Sequence, residues 1–378
     1  MANDKDFKVN GPVVVGKDTK VTVGSISSSA INLATGNYFD DTLAANTTYT
    51  ISNAGAVQAF QLEVTGGAVG FDVSAGVYDS VSFSVASQET NPLGLVFNND
   101  GTKLYVVGSI SDTVYQYSLS TAFDLSTTSY DSVSFSVNSQ EATPTDIAFN
   151  NDGTKMYIVG ATSRSVHQYS LSTAFDLSTA SYDSVSFSFN SQDTSTYGIA
   201  FNNAGTKIYM VGNTTDSLYQ YSLSTAFDIS TTSYDSVSFS VASQDSTPRG
   251  VAFNTDGTKM ILVGITGDNV YQYSLSTAFD LSTASYDSVS FSIGQDTAPS
   301  DIVFNSDGTK MYILGATNDT IYQYSTSVDA TLTWPTSIEW AGGIAPAAPA
   351  NGETDIFTFT TDDTGTSYTG VKSIDNAS

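Results

Sequence analysis

Cysteine is absent from the 378 residues, which excludes disulfides and thiolate metal sites. Histidine occurs once, as His167, so a multi-histidine metal centre is excluded as well. Positive charge is scarce: 12 basic residues stand against 38 acidic ones, for a net charge of −26. That balance argues against a basic face for nucleic acid, and no nucleic-acid partner is expected. An Asp-rich surface favours solubility and suits a salty medium, where screening relieves self-repulsion. No apolar run reaches the length of a membrane-crossing helix, so no membrane insertion is expected. The opening MetAlaAsnAspLysAspPheLys lacks the apolar core of a signal peptide. Catalytic signatures are missing too: there is no GlyXaaSerXaaGly, no phosphate loop and no Ser/His/Asp set. The expectation is a protein that is not an enzyme and carries no cofactor.

What is present is repetition. TyrAspSerValSerPheSer begins at Tyr78, Tyr130, Tyr182, Tyr234 and Tyr286, at intervals of 52 residues. PheAsnXaaXaaGlyThrLys recurs with its glycine at Gly101, Gly153, Gly205, Gly257 and Gly308, the last interval one residue shorter. ValTyrGlnTyrSer or a variant falls at Val114, Val166, Leu218, Val270 and Ile321. A period near 50 that carries several short strands marks a propeller or solenoid. Abundant Gly, Ser, Thr and Asn, with no long apolar pattern of helical period, make the chain all-β.

Each unit reads as four strands. Strand A is Gly94–Phe97, followed by an AsnAspGly hairpin signal. Strand B is Lys103–Val107, strand C is Val114–Leu119 and strand D is Ser132–Val137. A and B are apolar on both faces, as in a blade held between neighbours. D alternates Val133, Phe135 and Val137 with serines, so one face meets water. The array opens with D at Ser80–Val85 and closes with A–B–C at Asp301–Ser325. Joining them completes a fifth blade and shuts the ring, which removes exposed strand edges. The predicted fold is a five-bladed β-propeller over 67–328. It is inserted into a small sandwich-like β domain made of 31–66 and 329–378, because insertions are tolerated at loop tips. Residues 1–30 are read as an attachment or oligomerisation arm.

The repeat core ProXaaGlyIleAlaPheAsnXaaAspGlyThrLysMetTyrValValGly resembles propeller repeats of the YVTN/NHL type, over residues 71–327. The flanks carry a second resemblance. LeuAlaThrGlyAsnTyrPhe, ThrThrTyrThrIleSerAsn and GlnAlaPheGlnLeuGluValThr lie before the ring. LeuThrTrpProThrSerIleGluTrpAlaGlyGly and AspIlePheThrPheThrThrAspAspThrGlyThrSerTyr lie after it. Together these resemble a β domain of tail-fibre and related structural proteins of marine tailed phages. SerTyrThr departs from the aromatic pair usual before the final Gly. The resemblance implies a virion-surface fibre or receptor-binding protein, made in the host cytoplasm. Its implied partners are other virion proteins through the arm and split domain, a host surface glycan or protein, and other copies of itself in a homotrimer. A purely structural decoration and a polysaccharide depolymerase are the alternatives.

The five copies also mark candidate sites. The A–B turn and the C–D loop barely change, whereas the residue before strand A changes completely: Leu93, Thr145, Tyr197, Arg249 and Ser300. The B–C loops vary as well, at Ile110, Arg164, Thr215, Thr266 and Asn318. Both sets fall on one face of a propeller. They are read as a recognition surface pointing away from the split domain, with Tyr197 and Arg249 as anchors, because aromatic and Arg side chains dominate binding hot spots. Drift in exposed loops gives the same pattern. Asp112, Asp216, Asp268 and Asp319 recur before strand C and read as turn caps rather than Ca²⁺ ligands. Asp146 and Asp301, where other copies carry Gly, are weak candidates for an ion at the tunnel mouth. His167 stands where other copies have Tyr and reads as a packing variant. Trp334 and Trp340 read as core rather than sugar-stacking.

Overall fold

The computed structural model describes residues 24, 26–27, 29–43, 45–55, 58–363 and 365–374. Most of the expected N-terminal arm therefore lies outside the described residues. The chain divides into two compact units, Val69–Val328 and the combination of Met1–Ala68 with Asp329–Ser378. No α-helix occurs among the described residues.

The first unit is a ring of five four-stranded antiparallel blades. Blade 1 comprises Pro92–Phe97, Lys103–Gly108, Thr113–Leu119 and Thr128–Ser136, as strands A to D from the axis outward. Blades 2, 3 and 4 repeat this with A strands at Pro144–Phe149, Thr196–Phe201 and Pro248–Phe253. Blade 5 takes A, B and C from Pro299–Phe304, Lys310–Gly315 and Thr320–Ser325. Its D strand is Val77–Ser84, which pairs antiparallel with Thr320–Ser325. The ring therefore closes as its unpaired first and last segments require.

The blades stack through B strands that are apolar on both faces. Leu104, Tyr105, Val106 and Val107 are all fully buried, and the other blades match them. Each such side chain contributes roughly 1.5–3 kcal/mol by leaving water. A Tyr on strand B reaches across four of the five junctions to a carbonyl of the adjoining blade. Tyr105 Oη donates to Phe175 O at 2.5 Å, Tyr209 Oη to Phe279 O at 2.6 Å and Tyr312 Oη to Phe123 O at 2.5 Å. Tyr157 bonds Phe227 O in the same way. Ile261 occupies this place in blade 4 and has no hydroxyl to give.

The uniform loops have a packing cause. Gly101 has φ +70°, and a Cβ there would lie 2.2 Å from the Phe123 ring. Phe123 N donates to Gly101 O at 2.9 Å, so the A–B turn and the C–D loop are locked together. The same pairing recurs with Phe71 on Gly308 at the closure. A second network ties strand B to D: Lys155 Nζ lies 2.7 Å from Asp183 Oδ2, which also accepts from Gln168 Nε2 at 2.9 Å. Gln168 Oε1 then accepts from Ile229 N of the next blade at 3.3 Å.

In the second unit, Gln58–Thr65 pairs antiparallel with Thr354–Thr361 inside a five-stranded sheet. Chain from either side of the ring thus shares one ladder. Trp334 is buried there, with the Phe357 and Trp340 rings 4.8 and 4.9 Å away and its Nε1 donating to Pro346 O at 2.8 Å.

Candidate functional site at the ring axis

The five A strands surround the axis, and each is irregular at the same place. Pairing skips from Pro92 to Gly94, from Pro144 to Asp146 and from Pro299 to Asp301. It also breaks between Thr196 and Ile199 and between Pro248 and Val251. Leu93, Thr145, Tyr197, Arg249 and Ser300 are therefore the five bulge residues. A β-bulge leaves its extra residue outside the ladder and re-aims the side chain.

The next position around the ring reads Gly94, Asp146, Gly198, Gly250 and Asp301, and it is tightly packed. A Cβ on Gly94 would lie 2.6 Å from Asp146 Cα, and one on Gly250 would lie 2.3 Å from Asp301 Oδ1. Only glycine fits beside the two aspartates. Asp146 accepts from Ile147 N at 2.6 Å and from Ile199 N of blade 3 at 2.7 Å. Asp301 accepts from Ile302 N and from Leu95 N of blade 1, both at 2.8 Å. The two carboxyls lie close enough to influence each other's ionisation. Burial pushes the Asp301 carboxyl up to about 7. Burial, then the charge of Asp301, pushes Asp146 up as well. Two carboxyls buried this close together resist ionising at the same time.

Arg249 is the bulge residue before Gly250, the glycine that packs against Asp301. Its Cζ sits 3.4 Å from the centroid of the Tyr197 ring, a cation–π stack. Its Nη1 is buried with no hydrogen-bond partner among the described residues. The other bulge residues differ. Thr145 and Ser300 are only 2% and 4% exposed, and their hydroxyls lie against backbone carbonyls of their own and adjoining blades. Leu93 is half-buried. Two members of the bulge ring are thus internal struts rather than surface residues, while Leu93, Tyr197 and Arg249 are half-buried and the last two hold each other.

The B–C positions Arg164, Thr215, Thr266 and Asn318 are exposed, and Ile110 is 68% exposed. A buried carboxylate beneath each loop holds it in place. Glu89 accepts from Ile110 N at 3.3 Å and Ser111 N at 3.1 Å. Glu141, Asp193, Asp245 and Asp296 repeat the arrangement. Sequence reading missed this set, although an acidic residue after SerGln or Gln recurs in every copy. Asp112, Asp216, Asp268 and Asp319 adopt left-handed φ of 48–50°, the turn geometry that Asp tolerates. No cluster of three potential metal ligands occurs among the described residues. His167 Nε2 lies 2.9 Å from Ser163 Oγ, the bond that Tyr219 Oη makes to Thr215 Oγ1 in blade 3. It fills a Tyr position, and burial lowers its pKa.

Residues 6–282 match the family model described as a lactonase with a seven-bladed β-propeller. The chain belongs to this lactonase-type propeller family. It departs from the description in having five blades. Similar solved structures include candidate 6-phosphogluconolactonases from two Bacteroides species. That of Bacteroides uniformis is 15% identical with a TM-score of 0.40, over 59% of this chain and 63% of that one. That of Bacteroides fragilis is 14% identical with a TM-score of 0.40, over 74% and 69%. A protein of unknown function from Desulfotomaculum acetoxidans is 13% identical with a TM-score of 0.38, over 78% and 92%. The chain therefore spans less than two thirds of the first of these. No curated protein sequence matches it.

Family membership corrects the expected role. A non-enzymatic virion fibre that reads a host receptor is overturned, because the matching family is named for an enzyme. The tail-fibre resemblance of the flanks is not supported either. The contrast between uniform and variable loops misled for a physical reason. Rings packed on glycines hold one face constant, whatever happens on the other.

Proposed function

We propose that the chain is a lactone hydrolase working at the axial mouth of the ring. The observation that carries this reading is the buried carboxyl pair Asp146 and Asp301, each held by two backbone N–H groups of the A strands, in a ring whose bulge residue Arg249 has an unpartnered Nη1. Family membership supports the reaction class. Lactone hydrolysis needs a base for water, a donor for the leaving ring oxygen and a positive group for the oxyanion. A singly protonated pair supplies the first two together. Its ionised carboxylate takes a proton from water as the hydroxide adds to the carbonyl carbon. The neutral carboxyl gives its proton to the ring oxygen as the C–O bond breaks, and the pair returns to one proton. The product is the open-chain hydroxy acid. Arg249 stabilises the charge that develops on the carbonyl oxygen.

The test is hydrolysis of δ-valerolactone and D-glucono-δ-lactone, followed by acid release at constant pH. The purified chain is expected to exceed the buffer rate, and Arg249→Met to lower kcat about 10²- to 10³-fold. No rate above buffer, or an unchanged Arg249→Met, overturns the reading.

A further inference from the structure

The second unit holds a charged pair that the ring chemistry leaves unused. Lys372 Nζ lies 2.7 Å from Asp355 Oδ2. Asp355 sits on Thr354–Thr361, where buried residues alternate with more exposed ones. It belongs to the buried set with Phe357 and Phe359, and it faces Val64 across the ladder. Those three neighbours are fully buried. An acid thus occupies a place that the strand otherwise gives to apolar side chains. Lys372 reaches it from the adjoining strand, Tyr368–Ile374, where it stands opposite Phe357. Asp363 fixes the connecting hairpin by accepting from Thr366 N and Ser367 N, both at 3.0 Å. The Lys–Asp pairs of the ring differ, because their aspartate side chains keep 14–17% exposure against 1% for Asp355. Lys372 is also the single basic residue of this unit among the described residues. Exposed acids such as Asp40, Glu339 and Asp362 are present there, yet the cation sits on the buried one. Desolvating an ion pair commonly costs more than its attraction returns.

We propose that Lys372 and Asp355 condense into an intramolecular isopeptide bond that cross-links these two strands. Proton transfer within the pair turns ammonium and carboxylate into amine and carboxylic acid. The Nζ lone pair then adds to Asp355 Cγ, so a C–N bond forms and the Cγ–OH bond breaks. The hydroxyl leaves with one amine proton as water, and the product is a neutral amide. No oxidant, metal or second substrate is consumed. Between free molecules in water this condensation runs uphill. Groups held in contact react with effective molarities of about 10⁵–10⁸ M. Apolar surroundings further favour a neutral amide and a departing water over two buried charges. A chain without cysteine has no disulfide to tie its strands, and this bond is indifferent to redox conditions. The inference is independent of the hydrolase reading.

The experiment is an intact-mass measurement of the purified full chain, followed by proteolysis and fragmentation. The parent is expected to be one water molecule lighter than its sequence requires, with a branched peptide joining Lys372 to Asp355. Lys372→Arg keeps a cation beside Asp355 but offers no nucleophilic amine, and Asp355→Ala removes the acyl group. Both variants are expected at full mass. A parent at full mass overturns the proposal. A lighter parent whose loss maps to any other residue overturns it too, as does a Lys372→Arg chain that has lost the same water.

Discussion

At the scale of single residues, the ring shows what its repeats tolerate. The turn before strand C needs a left-handed residue, and four copies supply Asp at φ 48–50°. The remaining copy supplies Arg164 at φ 54°. A long side chain in that region lacks the short local hydrogen bonds that favour Asp and Asn there. Arg164→Asn is expected to raise stability by about 0.5–1 kcal/mol, read from urea unfolding at constant slope. An unchanged or lower midpoint would show that the Arg164 bond to Asn190 Oδ1, at 3.0 Å, outweighs the backbone term. His167 makes the complementary point. A lone histidine invites a catalytic role, yet here it takes over a contact that tyrosine makes elsewhere.

At the scale of strands and junctions, the missing hydroxyl at Ile261 stands out. By ring symmetry a tyrosine there would reach Phe71 O, at the junction where the first and last segments meet. Ile261→Tyr is expected to stabilise the ring by about 1 kcal/mol in chemical unfolding. A loss of stability instead would mean that Phe304 and Ile261 already fill the space. Strand count, the AsnAspGly hairpins and the closure were legible in the sequence, because period and turn chemistry act locally. The start of strand D was not. It begins at Thr128 rather than Ser132, and its ladder shifts between Gln116 and Tyr117, where Asp131 and Ser132 form a bulge. Ser132 has φ 58°, which interrupts the alternation a reader relies on. The axial site was legible only in part. Asp146 and Asp301 stood out against glycine, but the bonds they accept from Ile199 N and Leu95 N of other blades depend on how closely the blades approach. The burial of Thr145 and Ser300 depends on the same closeness.

At the scale of the whole molecule, two sets of carboxylates pull stability in opposite directions with pH. Asp79, Asp131, Asp183 and Asp235 are partly buried, which raises their pKa, but bonds from Lys, Ser and Gln outweigh this and hold them low. Their folded values lie below the unfolded one. The stability they add is present above about pH 4 and is lost as pH falls through the lowered values. Asp146 and Asp301 lie the other way. Their contribution is present below about pH 4 and is lost as pH rises towards the value of about 7 for Asp301. The melting temperature is expected to peak between these limits and to fall by pH 8. Asp146→Gly/Asp301→Gly, which extends the ring's own glycines, is expected to flatten the fall between pH 5 and 8. An equal fall in the double variant would assign the effect to other groups.

The closing strand has a consequence for how the protein is made. Asp79 bonds Ser325, a partner 246 residues away. At about 5–20 residues per second, the ribosome needs roughly 12 to 50 seconds to deliver that partner. Throughout this interval a finished strand waits with its hydrogen-bonding edge open. Four near-copies of its intended neighbour, Val114, Val166, Leu218 and Val270 with their flanks, emerge before the correct one. Each of those blades receives its own D strand only after its C strand, as with Thr128–Ser136 after Thr113–Leu119, so the first strand and the local one compete for the same edge during synthesis.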